Sequence, residues 1–479
     1  MTKLSWELLK LKFQARILES LEPSEAPAKF VISFTGSSVT AGHDSHFNFS
    51  TPVIVGNLMG PAFASMGITL HSRNVALGNN PCTPYDVCVK YFAGVDADIV
   101  HWEQTYFCEG QIVEQFIRQS MGMPSKPLVV FSDSNTAKWA KEDCKSGHIN
   151  RTDPIDAEEQ SLLAVDALHL VSEANKQLVS KSWKFMAPYM HAYHGAGIQL
   201  FSHRSEEDYA CKGPFIPSFQ DGAASWHPSV LGHSLRASHH AYFWLRAWSE
   251  ALSDLRNQTS HRVVGAVQKD VVSRLGRLQA PRGKAQHKSD FPDDATCYTD
   301  YEPRPVREAS LLSTVISGLA SNTSNTTPTN GKGWTYQIYE NIVNKELVEK
   351  SQQMQYLDYK YLLWGDKSAG PLSLRVNLKR EGPIFICETP GIWGSLPKGF
   401  MHVWENADVY ATYNVEGEEW AFKKELAVKL AFAYDKNHEI CAKLEPAHKK
   451  GGVIPKGRHV LTVLGKGEAK IIIAWLITP

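Results

Sequence analysis

The chain has 479 residues, 43% of them hydrophobic and 21% charged, and its 50 basic and 50 acidic side chains leave a formal net charge of zero. That length exceeds the usual span of one hydrophobic core and predicts two domains. The balanced charge excludes a nucleic-acid binder, which needs a basic excess, and no apolar run reaches the roughly 20 residues that span a bilayer.

Residues 1–22 place Leu4, Leu8, Leu9, Phe13, Ile17, Leu18 and Leu21 at helical spacing among Lys, Arg and Glu, which predicts a packed surface helix with Ser5 as its N-cap. They lack the solid apolar block of a signal peptide. From residue 30 to about 255, apolar runs alternate with helical patterns. The predicted strands are Phe30 to Phe34, Ile68 to Val75, Asp98 to Glu103, Leu128 to Ser132 and Ile198 to Ser202, and the predicted helices include Gln111 to Met121 and Glu158 to Ser180. Strands buried on both faces, each followed by a helix, imply an α/β domain with a doubly wound parallel sheet whose site lies at the strands' carboxyl ends. A helix carrying Leu231, Leu235, Tyr242, Phe243, Leu245 and Trp248 closes this domain, read as residues 1–256.

Residues 257–333 read as a connector, locally basic at Arg274, Arg277, Arg282, Lys284 and Lys288, with an amphipathic helix near Val263 to Leu278 and a polar loop from Ser321 to Lys332. Residues 334–479 change to short alternating runs: Leu372 to Leu378, Pro383 to Glu388, Val409 to Asn414, Leu426 to Ala433, Gly457 to Leu464 and Ile471 to Leu476. These predict an all-β sandwich. Its ending reads as two closing strands joined by the turn Gly465-Lys466-Gly467, and Trp393, Trp404 and Trp420 read as core before sugar platform.

Eight cysteines and Asn-x-Ser/Thr sequons at Asn48, Asn150, Asn257, Asn322 and Asn325 point to a secreted or secretory-pathway protein, a cytoplasmic one being the alternative. Cys82 and Cys88, bracketing Pro84 and Tyr85, are the predicted disulfide. His191, His194, His233, His239 and His240 match no zinc signature and read as surface or core residues. With no phosphate-cradling glycine loop either, no cofactor is expected.

Two stretches carry chemistry. Phe34-Thr35-Gly36-Ser37-Ser38-Val39-Thr40-Ala41-Gly42 is a tight turn of small residues that presents the Ser38 hydroxyl at the end of a strand. Roughly 190 residues later, Ser225-Trp226-His227-Pro228-Ser229-Val230-Leu231-Gly232-His233 places His-Pro, a spacer and Gly-His at the start of a long helix. Together these blocks resemble the SGNH (GDSL-type) hydrolase superfamily over about residues 28–256, with Ser37 standing where that family has Asp.

The resemblance implies a flavodoxin-like three-layer fold and a serine hydrolase. Ser38 is then the nucleophile, His227 the base, and oxyanion donors come from the Ser38 amide, a second-block glycine and a third-block asparagine. Asn74-Val75-Ala76-Leu77-Gly78-Asn79-Asn80-Pro81 resembles the second block and supplies Gly78. The third block departs: the strand Asp98 to Glu103 continues as Gln104-Thr105-Tyr106-Phe107-Cys108 without Gly-x-Asn-Asp, which leaves Gln104, Asn79 or Asn80 as the further donor. The family's Asp three residues before the histidine is Ala224 here. Asp221 is the candidate acid, with a backbone carbonyl, and hence a Ser-His dyad, as the alternative. The implied activity is hydrolysis of small acyl esters, O-acetyl groups on a glycan being the substrate suggested by the family and the second domain. Acyl transfer at the same Ser/His site is the enzymatic alternative, and a non-catalytic glycan-binding protein on a decayed scaffold is the other.

Overall fold

The computed structural model describes residues 3–24, 26–42, 47–78, 82–103, 111–132, 162–164, 230–279, 291–292, 294–300, 310–320, 333–338, 361–388, 401, 407–414, 424–433, 441–446 and 452–479. They fall into two compact units. The first comprises Met1–Asn80, Ala93–Lys288 and Ser351–Tyr356, and the second Pro81–Phe92, Ser289–Lys350 and Leu357–Pro479.

The first unit runs α1 (Lys3–Ser20), β1 (Ala28–Phe34), α2 (Ser38–Ala41), α3 (Thr51–Ala64) and β2 (Ile68–Asn74), and the chain re-enters it at the last residue of α4 (Val89–Ala93), whose first four residues belong to the second unit. It continues through β3 (Ile99–Trp102), α5 (Gln111–Met121), β4 (Leu128–Ser132), β5 (Leu162–Ala164), α6 (Val230–Thr259) and α7 (Val264–Leu278). The sheet order is β2-β1-β3-β4-β5, with β2, β1, β3 and β4 parallel. That flavodoxin-like order reverses direction between β1 and β3, the crevice where such sheets hold their ligands. β1 is the central strand, and its sequence Ala-Lys-Phe-Val-Ile-Ser-Phe is buried everywhere except Lys29, as a strand covered on both faces requires.

One face of the sheet packs against α1, α3 and α6 around an aromatic cluster. The Phe13 ring lies 4.9 Å from Phe30, 5.8 Å from Phe63 and 5.4 Å from Trp248, and Phe63 stacks on Trp248 at 4.1 Å. Full burial of each such ring contributes about 1.5–3 kcal/mol, so the lower half of α6 is firmly held. On the opposite face Trp102 meets Phe116 of α5 at 4.1 Å.

Two expectations are corrected here. Leu162–Ala164 pairs antiparallel with β4 and lies inside the stretch predicted as the helix Glu158 to Ser180. A short apolar run fits either element, and the open edge of β4 decides. Ser5 lies within α1, which begins earlier, and so is not its N-cap. Ile198 to Ser202 lies outside the described residues.

The second unit has a nine-stranded antiparallel sheet, β6-β17-β11-β14-β13-β12-β15-β10-β7, and a three-stranded sheet, β16-β9-β8. The strands are β6 (Thr296–Thr299), β7 (Val315–Ser317), β8 (Thr335–Ile338), β9 (Tyr361–Gly365), β10 (Leu372–Leu378), β11 (Ile384–Cys387), β12 (Ala407–Asn414), β13 (Lys424–Ala433), β14 (Cys441–Pro446), β15 (Gly457–Gly465), β16 (Ile471–Ile473) and β17 (Trp475–Thr478). β10 alternates buried and less buried residues, the period of a half-buried strand. Leu374, Val376 and Leu461 of the large sheet share one core with Leu363, Ile471 and Ile473 of the small one, which makes a sandwich. β6 and β7 come from the stretch read in the sequence as connector. Trp393, Trp404 and Trp420 lie outside the described residues.

The predicted closing hairpin does not form. β15 pairs with β10 and β12, while the last apolar run divides between the two sheets, β16 on β9 and β17 on β11 and β6. At the break, the Ala474 N–H donates to the Cys387 carbonyl at 2.9 Å and the Ala474 carbonyl accepts from Thr299 Oγ1 at 2.9 Å. A run buried on both faces has no alternation to mark such a switch.

The disulfide pairing also differs from expectation. Cys88 bonds Cys297 of β6, 209 residues away, not Cys82, which is itself disulfide-bonded. A six-residue spacing closes a tidy loop on paper, but it carries no information about the distant strand that packs beside Pro81–Phe92. Cys387 bonds Cys441, its direct partner in the β11/β14 ladder. Peptide mapping without reductant is expected to recover Cys88 linked to Cys297 and no peptide linking Cys82 to Cys88. Replacing Cys387 and Cys441 together by Ala should lower the unfolding free energy in urea by about 2–4 kcal/mol, and an unchanged midpoint would refute that role.

Candidate active site

At the carboxyl end of β1, Thr35, Gly36 and Ser37 turn the chain into the four-residue helix α2, whose first residue is Ser38. Ser37 caps the helix, its Oγ accepting the Val39 N–H at 3.2 Å. Gly42 ends it in the left-handed region with φ 93°, returning its N–H to the Ser38 carbonyl at 3.1 Å. Ser38 is half-buried while Val39, Thr40 and Ala41 are buried, so the turn buries its apolar side and leaves Ser38 partly open to solvent.

Both neighbouring strands grip this turn. From the β2 side, the Val75 N–H donates to the Phe34 carbonyl at 3.0 Å and the Leu77 N–H to the Gly36 carbonyl at 3.1 Å, which brings the loop carrying Gly78 alongside the Ser38 turn. Asn74 Nδ2 donates to the Ala41 carbonyl at 3.0 Å and to Ser50 Oγ at 3.2 Å, while its Oδ1 accepts the Ala76 N–H at 3.3 Å. From the β3 side, the N–H and Oγ1 of Thr35 both donate to the His101 carbonyl, at 2.8 and 2.6 Å.

One residue beyond β3, the fully buried Glu103 points into the turn. Its Oε2 accepts from the Ser37 N–H at 3.3 Å, Ser37 Oγ at 2.9 Å and Thr40 Oγ1 at 2.9 Å. Gly36, at φ 148°, makes room for it. A Cβ there would lie 3.0 Å from both the Cβ and the Oε2 of Glu103 and 3.1 Å from Thr40 Oγ1, so only glycine fits.

The helix α6 meets the same group from the other direction. Arg236 Nη2 lies 4.0 Å from Glu103 Oε1, the two side chains being 10% and 0% exposed. Four residues on, the His240 ring stands edge-on to His101 at 5.0 Å and to Phe34 at 5.8 Å. Burial, followed by the nearby Arg236 charge, pushes the His101 imidazole down to about 3, so it stays neutral. Near the start of α6, His233 Nδ1 accepts the Thr51 N–H at 3.3 Å and lies 2.9 Å from Thr51 Oγ1. Accepting a backbone N–H at Nδ1 puts the ring proton of a neutral imidazole on Nε2. These contacts fix the first turns of α6 beside the Ser38 turn, and α6 begins three residues after His227 in the chain.

Of the residues singled out in the sequence, the structure therefore brings together Ser38 and the loop of Gly78. His227, Asp221, Asn79, Asn80 and Gln104 lie outside the described residues, as do His191 and His194. His233 and His240 are buried. The residues that sequence reasoning passed over are Glu103, Arg236 and Asn74. The available signal for Glu103 was an acidic side chain ending the strand beside the one that leads into Ser38.

No protein-family model matches the chain, and no curated protein matches it. Among solved structures, it is similar to a two-domain esterase, CEX, active on acetylated mannans, at 12% identity and a TM-score of 0.36, over 94% of this chain and 91% of that one. The same esterase co-crystallised with mannopentaose gives a TM-score of 0.39 at 12% identity, over 94% and 90% of the two chains. A Clostridium thermocellum family 3 carbohydrate esterase is similar over 35% of this chain and all of its own, at 12% identity and a TM-score of 0.20.

The neutral His101 has a measurable consequence. Between its ordinary 6.5 and about 3, the unfolded chain binds a proton that the folded chain refuses, so stability falls as pH drops through that window by about 1.4 kcal/mol per pH unit from this group. His101→Phe should flatten the pH dependence of the denaturation free energy by that slope relative to wild type. Parallel wild-type and variant curves across the window would show that His101 is not held neutral.

Proposed function

We propose that the chain is a serine esterase that removes small acyl groups, with O-acetyl groups on a glycan as the substrate class. The observation that carries the reading is the half-buried Ser38 opening a helical turn at the sheet's switch point. Ser38 Oγ attacks the acyl carbonyl while His227 takes its proton. The tetrahedral oxyanion is held by the N–H groups of Ser38 and Gly78, with Asn79 or Gln104 as the further donor. His227 then protonates the departing sugar oxygen, and water repeats the sequence on the acyl-enzyme. Asp221 orients the imidazole and stabilises its charged form. Support for the histidine comes from the anchoring of α6 by His233 and Arg236 beside the Ser38 turn. The disulfides favour an oxidising compartment, and the sequon residues Asn48 and Asn257 are exposed. Among the described residues no helix is long and apolar enough to cross a membrane.

A fluorophosphonate should label the wild-type protein at Ser38, and Ser38→Ala and His227→Ala should each abolish labelling. Asp221→Asn should lower ester turnover roughly tenfold or more, within the about 10⁴ an essential triad acid can contribute, with little change in Tm. Removing the side chain that serves as the extra donor, Gln104→Ala or Asn79→Ala, should cost about 10²–10³ in kcat. Labelling elsewhere, or none, would favour a glycan-binding protein, and a labelled Ser38 without hydrolysis would favour acyl transfer.

A further inference from the structure

We infer that Glu103 is the positioning residue of the nucleophile turn, and that it works as a pair with Ser37. The inference rests on the esterase reading, because positioning has a meaning only if Ser38 reacts. The ground for it is geometric. A fully buried carboxyl collects three donors on a single oxygen, Ser37 N–H, Ser37 Oγ and Thr40 Oγ1, and these residues flank Ser38 on both sides. They are the first cap residue and the third residue of a helix only four residues long, too short to hold its own conformation by propagation. The carboxyl therefore stands in for the missing length. Its other oxygen faces Arg236 at 4.0 Å, on the helix that begins three residues after His227, so the same side chain ties the nucleophile turn to the segment proposed to carry the base.

The pairing with Ser37 follows from charge. Ser37 Oγ donates to Glu103 Oε2 at 2.9 Å. A carboxylate at position 37 would put like charges at hydrogen-bond distance inside the protein, where repulsion is screened far less than in water. A hydroxyl there is therefore required by Glu103, and the two positions should change together or not at all.

The test uses full-length protein and reads kcat, KM on a soluble acetyl ester, Tm, and the rate of fluorophosphonate labelling. Glu103→Ala leaves three donors without an acceptor and should lower both kcat and labelling rate about 100-fold, the scale of a misplaced reacting group, while KM changes little. Glu103→Gln keeps an acceptor oxygen and should remain within about tenfold of wild type, whereas Glu103→Met, of similar length but with no oxygen acceptor, should fall with Glu103→Ala, a difference that bulk packing does not explain. Ser37→Asp should be nearly inactive, and Ser37→Asp combined with Glu103→Gln should recover activity at least about tenfold over Ser37→Asp, because an amide can donate to the new carboxylate. This recovery keeps the idea testable if Glu103→Ala does not fold. A Glu103→Ala protein whose folded fraction labels at the wild-type rate, or a double variant no better than Ser37→Asp, would overturn the positioning role and leave the esterase reading standing. A wild-type protein that never labels at Ser38 would instead remove the esterase reading itself.

Discussion

A carboxyl buried beneath the Ser38 turn is the constraint on which the site depends. Moving a carboxylate out of water costs several kcal/mol even after relaxation. Glu103 recovers this through three hydrogen bonds at 2.9–3.3 Å and a guanidinium at 4.0 Å. Because charge-assisted hydrogen bonds contribute about 1.5–3 kcal/mol each, the group is tolerated only while all its partners hold their places. That makes the turn stiff by default: a side chain at Gly36 would crowd Glu103 from a strained backbone, and rotating Ser37 or Thr40 away would cost the buried carboxyl one of its three donors.

The same device occurs at both ends of β3. At its start the buried Asp98 accepts the Val31 N–H of β1 at 3.0 Å and takes Arg16 of α1 at 3.0 Å. At its finish Glu103 accepts the Ser37 N–H that follows β1 and faces Arg236 of α6. β1 is thus held to β3 by acid side chains above and below the ladder, each neutralised by an arginine from a covering helix. The helix α6 serves both stability and site. Its first turns present polar residues, His233, Arg236 and His240, whereas Trp244 and Trp248 further along pack on Phe34, Phe63 and Phe13. The aromatic half stabilises the helix enough to carry the polar half, whose His240 stands edge-on to His101 of β3 at 5.0 Å.

The parts of this arrangement that local chemistry specifies were legible in the sequence. β1, β3, β4 and β10 lie where apolar runs or period-two alternation put them, and the helix Gln111–Met121 matches its pattern. Pairing was not legible, because it is decided between distant segments. Cys88 reaches Cys297, the run after residue 470 divides between two sheets, and Leu162–Ala164 joins an edge. The site divided in the same way. A small-residue turn after an apolar strand marks Ser38, whereas Glu103 is informative only once β3 is known to lie beside β1, since an acidic residue closing a strand is unremarkable by itself.

The electrostatics of the pair explain why a negative group can sit so close to a serine expected to develop negative charge. An isolated buried carboxylate would oppose an oxyanion at the same turn, and low local polarity would amplify the effect. Arg236 stands on the far side of the carboxyl, so the two charges act outward as a short dipole whose field falls off faster than that of a single ion. Oε2, the oxygen nearer the turn, is further covered by the three donors that converge on it. The turn gains the geometric hold of a charged acceptor while the Ser38 hydroxyl experiences little net charge. It follows that Arg236 matters to the site even though it acts only through Glu103. The sequence can tolerate an acid at position 103 because a cation stands behind it and a hydroxyl, not a second acid, stands in front.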